Sequence, residues 1–287
     1  MPHVGRTGGW SRRERTGISS GRSGADIIRV WSALSILLLS LPVALLVWYG
    51  FAVFRSAEGL SRTVIYSIGL TVFSAAVASA AVFLIFTPAA YDLARRKRSG
   101  LESLSDLPAS IPHPVVGIAL LLLDSSLTPT GRFLQSVGIN FFDTLQGLVI
   151  ALIFVSAPVY IRAAQSLFSS SNIQQELFAS SLGASRARIL YSIMIPSHSR
   201  ELISAALTSM SRGMSEFGSI AIIAYYISQP PFRGIEPAPV LIYQYYGYYG
   251  PQVAVTAASL MILFSVAILV AVRLLRLHGT EGRERVR

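Results

Sequence analysis

Two charged side chains lie inside an otherwise apolar stretch of the sequence. Arg212 and Glu216 are four residues apart in the run 202–226, so a helix would place them on one face. If this run spans a membrane, the charges must face the interior of a helix bundle or a water-filled cavity. The pair then has two compatible roles. One role is a mutually neutralising pair that fixes helix packing, which the spacing favours, and the other is a contact to a substrate or gate.

Several kinds of catalytic site are excluded by composition. The chain has no cysteine, which rules out disulfides, thiolate metal sites and cysteine nucleophiles. Lys97 is the only lysine and follows two arginines, so no G-x-x-x-x-G-K-[ST] phosphate loop exists. The four histidines show no metal-ligand spacing. We expect a chain that is not an enzyme, with no metal site and no cofactor of its own.

Two of these histidines have structural interpretations. His113 lies between two prolines and is interpreted as a polar residue at the start of a broken helix, in preference to a ligand or proton carrier. His198 follows a short predicted helix and is interpreted as part of the turn into the next long one.

A polar and basic segment interrupts the apolar sequence at residues 176–196. In and just before its first half, apolar residues recur at the spacing of one helix face: Ile173, Leu177, Phe178 and Leu182. Gly183 is typical of a left-handed helix end, and Ser185 of the start of a second short helix. This second helix is predicted to end at Pro196, and its apolar stripe consists of Ile189, Leu190, Ile193 and Met194. With Arg186 and Arg188 on a polar face, the segment predicts a surface that meets another protein.

The composition around this segment is that of a membrane protein. Hydrophobic residues make up 52% of the chain and charged residues 13%, which is unusually apolar for a soluble domain. The apolar runs can cross a bilayer core of about 30 Å as helices. Prolines 108, 112 and 114 are expected to delay the third helix to about residue 115. We predict an all-α integral membrane protein with six transmembrane helices, near residues 30–54, 63–91, 115–122, 144–161, 202–226 and 251–272.

The charged residues predict the domain organisation and the orientation. Residues 1–26 are predicted to be a disordered basic tail, residues 27–277 the six-span membrane domain and residues 278–287 a second basic tail. Most of the 24 lysines and arginines lie on the side of the termini and of the 176–196 segment. Only Arg55, Arg62, Arg132 and Arg233 lie on the other side. By the positive-inside rule, both termini are cytoplasmic in a multi-pass plasma membrane protein. The net charge of +10 does not indicate nucleic acid, because the arginines alternate with uncharged runs.

The 176–196 segment resembles the coupling loop of type I ABC importer permeases, whose pattern is roughly E-A-A-x3-G-x9-I-x-L-P. Gly183, Ile193 and Pro196 match this pattern at the right offsets. Ile195 replaces the usual Leu, and Phe178 stands where Ala is usual. Glu176 stands one position earlier than in the general pattern. That placement is similar to the molybdate, tungstate and sulfate branch.

Three further stretches resemble the same branch, and together the resemblance covers about residues 60–275. DLPASIPHPVVGIALL is similar to its third-span segment, and RGMSEFG to its R-x-x-x-E-F-G signature. The ending IAYY and the downstream PVLIYQYY resemble archaeal tungstate/molybdate permeases.

The resemblance implies the type I ABC importer permease fold, with a cytoplasmic coupling helix between helices 4 and 5. It implies a transport subunit for tungstate or molybdate, with sulfate or thiosulfate as the alternative. The implied partners are a second copy of the chain, membrane lipid, two cytoplasmic ABC ATPase subunits that use ATP and Mg²⁺, and an extracytoplasmic oxyanion-binding protein.

The residues implied for the ATPase-coupling loop are Glu176, Ala179, Gly183, Ala184, Ser185, Arg186, Ile193 and Pro196. Those for the pathway, gate or packing are Arg212, Glu216, Phe217 and Gly218.

Two other classes of protein fit the sequence less well. An ion-coupled secondary carrier usually needs intramembrane carboxylates as ion sites, and only Glu216 qualifies. An intramembrane enzyme would need a nucleophile, paired carboxylates or a metal site, and no such pattern is present.

Overall fold

The described part of the chain consists mainly of helices, and its longest connection lies between residues 223 and 238. The computed structural model describes residues 20–96 and 99–284, with side chains described for residues 27–96 and 99–270. The described residues contain no named β-strand, only an isolated antiparallel bridge between Ile227 and Ile235. They divide into one unit that ends at Leu45 and a larger one that begins at Leu46. The predicted all-α class is confirmed.

The α-helices, in chain order, are α1 (Ser20–Trp48), α2 (Arg62–Arg95), α3 (Ser99–Ser110), α4 (His113–Asp124), α5 (Pro129–Ser136), α6 (Leu145–Ser170), α7 (Ile173–Ser181), α8 (Arg186–Ile189), α9 (Ile195–Ser197), α10 (Ser199–Met214), α11 (Ile220–Ile223), α12 (Ala238–Tyr249) and α13 (Pro251–Glu284). Two π-helical turns, Tyr49–Phe54 and Leu190–Met194, follow α1 and α8, and a 3₁₀ turn lies at Glu58–Leu60.

Four helical segments among the described residues are long and apolar enough to cross a membrane: Ile27–Phe54, Arg62–Arg95, Leu145–Ser170 and Pro251–Val270. A fifth crossing results if α3 and α4, bent by 105° at their junction, form one broken span. The runs predicted at 30–54, 63–91, 144–161 and 251–272 therefore coincide with long helices. α6 continues well past the predicted end, with Pro158 in its interior.

The predicted continuous span at 202–226 is wrong. α10 stops at Met214 after 16 residues, and α11 contains only four. Between them the carboxylate of Glu216 accepts a hydrogen bond from the backbone N–H of Ser219 at 2.9 Å. A side chain thus takes the place of the carbonyl that a continuous helix would offer, so the helix ends.

Three segments that lie between the predicted spans contain helices. Residues 99–110 form α3 with Pro108 inside it, residues 129–136 form α5, and residues 238–249, which are rich in tyrosine, form α12. Prolines near the starts of α4, α5 and α12 lie in the first turn of each helix. A proline at such a position costs no hydrogen bond, because the first N–H groups of a helix have no carbonyl partner within it.

The two predicted basic tails, residues 1–26 and 278–287, are only partly described by the structure. Residues 1–19 and 285–287 lie outside the described residues. Residues 20–26 belong to α1, and residues 278–284 belong to α13.

Helices α2, α6 and α10 pack together at the centre of the larger unit. The hydroxyl of Ser79 donates to the carbonyl of Ala206 at 2.6 Å, and that of Ser209 to the carbonyl of Ser156 at 3.1 Å. Small residues of α2 are buried in this contact, among them Ala75 and Ala78. The Ala- and Ser-rich part of α2 therefore packs inside the bundle, where small residues allow close approach of helices.

Asp143 joins the start of α6 to the chain after α11. Its N–H donates to the carbonyl of Ile223 at 2.8 Å, and its carboxylate accepts the N–H of Tyr225 at 3.1 Å. Its carbonyl accepts both the N–H and the hydroxyl of Ser228 at 2.8 Å. Burial raises the pKa of the Asp143 carboxyl, while backbone N–H donors oppose this shift. These bonds fix the far end of the broken α10–α11 segment.

Candidate functional site

Helix α7 has one buried polar face and one exposed apolar face. Glu176 and Ala179 point inward and are less than a tenth exposed. The predicted apolar stripe faces outward, with exposures of 48% to 74%: Ile173, Leu177, Phe178 and Leu182. Among the described residues, α7 belongs to none of the candidate membrane spans. An exposed apolar surface of this kind is typical of a protein-binding site.

The turn after α7 has the predicted capping geometry. Gly183 has a φ of +82°, in the left-handed region that favours glycine. Its N–H donates to the carbonyl of Ser180 at 3.0 Å, and the N–H of Ala184 donates to the carbonyl of Ala179 at 3.0 Å. The hydroxyl of Ser185 then accepts the N–H of Arg188 at 3.3 Å. Both the helix end at Gly183 and the N-cap at Ser185 are confirmed.

The second helix of the segment turns its apolar stripe inward. Ile189, Leu190 and Met194 are buried in a core cluster with α2 and α6, and Ile193 packs against that cluster. Arg186 and Arg188 are exposed. The two apolar stripes of residues 173–197 therefore differ in role, since only the α7 stripe is open to a partner.

Pro196 does not end this helix, and that prediction is wrong. The π turn at Leu190–Met194 is closed by a hydrogen bond from the Ile195 N–H to the Leu190 carbonyl. Pro196 then lies in the first turn of α9, where its missing N–H breaks no hydrogen bond. The chain turns at His198 instead, as the position of that histidine predicted.

A buried ion pair attaches α7 to α2. Glu176 accepts hydrogen bonds from the Arg95 guanidinium, at 2.9 Å from Nε and also from Nη2, and from the Tyr91 hydroxyl at 2.6 Å. Arg95 Nη2 also donates to the hydroxyl of Ser171 at 2.7 Å, just after α6. The side chains of Arg95 and Glu176 are only 15% and 9% exposed. Glu176 is therefore an internal anchor and not part of the exposed face.

Sequence reasoning missed Arg95 and Tyr91 as members of this site. Arg95 begins the run Arg95–Arg98, whose positive charge was interpreted only as an indicator of orientation. The position of Arg95 at the end of a long apolar helix could have indicated this role, because an arginine side chain there can reach a buried carboxylate nearby.

A second candidate site lies at the two helix breaks. His113, the first residue of α4, lies with Nδ1 2.8 Å from Oε2 of Glu216 and Nε2 2.9 Å from Nη2 of Arg212. Arg212 Nη1 lies 3.3 Å from the same Glu216 oxygen. A neutral imidazole with its proton on Nδ1 satisfies both short contacts, donating to Glu216 and accepting from Arg212. The predicted i,i+4 pair thus exists, with His113 as an unpredicted third member.

The other two predicted pathway residues have different surroundings. A Cβ at Gly218 would lie 3.0 Å from the Cβ of His113 and from Cδ of Pro114, so glycine permits the close approach of α4. Phe217 stacks in a tilted geometry on Tyr243 of α12, with ring centroids 5.1 Å apart. Gly218 belongs to the polar cluster, whereas Phe217 belongs to an apolar surface.

Residues 87–277 match the family model described as "binding-protein-dependent transport system inner membrane component". The matched range includes the 173–197 segment and the cluster of His113, Arg212 and Glu216.

Curated relatives match over most of the chain. A molybdate/tungstate transport system permease protein of Thermococcus kodakarensis is 36% identical over 202 residues, which cover 69% of this chain and 73% of that protein. One of Pyrococcus furiosus is 32% identical over 233 residues, covering 78% and 85%. A sulfate transport system permease protein of Synechococcus elongatus is 30% identical over 186 residues, covering 65% of each chain.

The importance of the buried Arg95–Glu176 pair can be tested by mutation. We expect Glu176→Ala to destabilise the protein by about 3–5 kcal/mol, because it leaves the Arg95 charge buried without a partner. The readout is the thermal midpoint of the purified protein in detergent. Arg96→Ala is the matched control: Arg96 pairs with Asp92 at 3.2 Å, with both side chains more than a third exposed. Its loss should cost at most about 1 kcal/mol. Equal shifts in the two variants would contradict a structural role for the Arg95–Glu176 pair.

Proposed function

This chain belongs to the family of binding-protein-dependent transport system inner membrane components, and we propose that it carries tungstate or molybdate inward across the membrane. It is an ABC importer permease of the molybdate, tungstate and sulfate branch. The observation that carries the proposed mechanism is the exposed apolar face of α7, which is held from behind by a buried ion pair.

The α7 face is proposed to dock into a groove on a cytoplasmic ATPase subunit. A short helix with exposed apolar residues on one face suits such a groove. Residues 173–197 would then act as the coupling segment. Its residues Gly183 and Ser185 fix the turn behind the docked helix. Ile193 packs against the core, and Pro196 is exposed in the short helix that follows.

The Arg95–Glu176 pair is proposed to transmit the motion of the ATPase to the membrane helices. Glu176 is bonded to α2 through Arg95 and Tyr91, and Arg95 is bonded to the end of α6 through Ser171. A displacement of α7 would therefore move α2 and α6 with it as a rigid body.

The proposed assembly supplies what this chain lacks. Without a phosphate loop in its sequence, the permease would obtain its driving force from two ATPase subunits, which hold ATP and Mg²⁺. A second copy of the chain would complete the pathway, and an extracytoplasmic binding protein would deliver the anion. The proposed topology has six crossings and both termini in the cytoplasm, with α10 and α11 as a broken fifth crossing.

The choice of anion is supported by the relatives. The two archaeal proteins named as molybdate/tungstate permeases are 36% and 32% identical, and the cyanobacterial sulfate permease is 30% identical. All three anions are tetrahedral dianions, so one pathway chemistry would accept each of them. Tungstate or molybdate is proposed as the substrate, with sulfate as the alternative.

Removal of an exposed aromatic ring from α7 should weaken docking. Phe178 is 68% exposed, and burial of such a ring contributes about 1.5–3 kcal/mol. Phe178→Ser should therefore weaken binding of the ATPase to the detergent-solubilised permease by about 10- to 100-fold. Phe133→Ser is the control, since Phe133 is 66% exposed on α5. Equal affinities for the two variants would show that α7 does not dock.

A side chain at Gly183 should uncouple transport from ATP hydrolysis. Gly183→Val places a β-branched residue at a φ of +82°, at a cost of about 1–3 kcal/mol that moving the turn would relieve. We expect oxyanion uptake to be strongly reduced while the amount of permease in the membrane is unchanged. Gly138→Val is the matched control, with a φ of +77° and likewise nothing within 4 Å of an added Cβ. Normal uptake by the Gly183 variant would contradict the coupling role.

The function itself is tested in vesicles that hold the permease and its ATPase, with the binding protein outside. Labelled tungstate uptake should require ATP, withstand a proton ionophore and be reduced more by unlabelled molybdate than by sulfate. Uptake that an ionophore abolishes and ATP depletion spares would identify an ion-coupled carrier instead. Stronger competition by sulfate than by molybdate would favour the sulfate alternative.

A further inference from the structure

Two interrupted helices meet at the cluster of His113, Arg212 and Glu216. The α3–α4 bend of 105° places His113 at its vertex, and α10 ends two residues after Arg212. The contact is close, since a Cβ at Gly117 would lie 2.7 Å from the carbonyl oxygen of Ser219. Non-helical backbone at membrane depth is tolerated only where it is buried in protein or lines a water-filled cavity.

The cluster lies between the ends of the surrounding spans. The hydroxyl of Ser209, one turn before Arg212, donates to the carbonyl of Ser156. Ser156 lies near the middle of α6, which extends over Leu145–Ser170. A Cβ at Gly213, the residue after Arg212, would lie 3.9 Å from the Cβ of Leu152. The cluster therefore lies within the length of α6, nearer its start than its end, at a depth where a charge needs a functional reason.

Within the cluster, Glu216 is held mainly by groups other than Arg212. Its Oε1 accepts the N–H and the hydroxyl of Ser219, both at 2.9 Å, and its Oε2 lies 2.8 Å from His113 Nδ1. The contact from Arg212 to Glu216, at 3.3 Å, is longer than the usual charge-assisted hydrogen bond of about 2.7–2.9 Å. Glu216 is 1% exposed, whereas the Arg212 side chain is 29% exposed.

This asymmetry allows Arg212 to exchange partners. When an anion binds the guanidinium, Glu216 keeps its bonds to Ser219 and His113, so it is not left without donors. The hydrogen bonds of Arg212 within the described residues use Nη1 and Nη2, which leaves Nε–H for a further acceptor. A guanidinium offers several parallel donors to a tetrahedral oxyanion.

We propose that Arg212 is a contact site for the translocated dianion inside the membrane, with Glu216 and His113 as positioning residues. This inference rests on the proposed function, because it requires that an oxyanion crosses this chain. In the empty state Glu216 offsets the charge of Arg212, and in the occupied state the dianion takes its place. The ligand class is a tetrahedral oxyanion, with tungstate as the probe.

The test measures the number of tungstate ions taken up per ATP hydrolysed by the complete transporter in vesicles. Arg212→Gln should lower this ratio by about tenfold or more, since the cation that favours the anion is lost. Arg212→Lys should give a ratio between those of the wild type and Arg212→Gln, because lysine keeps the positive charge. Arg162→Gln is the control: Arg162 also pairs with a carboxylate, Asp106, but its side chain is 67% exposed.

The double variant Arg212→Gln with Glu216→Gln separates substrate contact from packing. It removes both charges together and leaves no buried charge without a partner. A contact role predicts that its ratio stays as low as that of Arg212→Gln, and a wild-type ratio would overturn the proposal. Uptake and ATP hydrolysis that fall in parallel in Arg212→Gln would also overturn it. A wild-type transporter that moves none of tungstate, molybdate and sulfate would instead refute the proposed function, and this site with it.

Discussion

A carboxylate that is removed from water needs hydrogen-bond donors in place of the water, and a nearby cation stabilises it further. Both candidate sites are built around this requirement. Glu176 is enclosed by Arg95 and Tyr91, and Arg95 is in turn bonded to Ser171 at the end of α6. Glu216 is enclosed by Ser219 and His113, with Arg212 more distant. The difference in how tightly each arginine is held separates a structural attachment from a site that can exchange partners.

The attachment at Glu176 explains why α7 reverses the usual arrangement of a surface helix. Its polar anchor faces inward, and its apolar residues face outward. Such an arrangement would be costly for a helix with no partner, because it leaves large apolar side chains in water. It fits the proposed role, in which α7 would contact a partner on one side and remain bonded to α2 on the other.

Much of the fold was predictable from patterns along the chain. Long uncharged runs identified four of the crossing helices, because a bilayer core requires many consecutive apolar residues. Gly183 and Ser185 were predictable caps, since each satisfies a local backbone requirement. The predictions for 202–226 and Pro196 failed for a common reason. In each, a local but irregular hydrogen bond, at Glu216 or in the π turn after α8, replaced the regular helical pattern.

The sequence by itself determined the membrane class, the absence of a phosphate loop and the two short stretches that contain the candidate sites. Composition and local spacing are sufficient for these, because they depend on neighbours along the chain. Only the tertiary structure decided that Glu176 is buried against Arg95, about 80 residues earlier in the chain, and that His113 completes the Arg212–Glu216 cluster. Those contacts join residues that are distant in sequence. The packing of the helices decides which of the charged side chains form pairs.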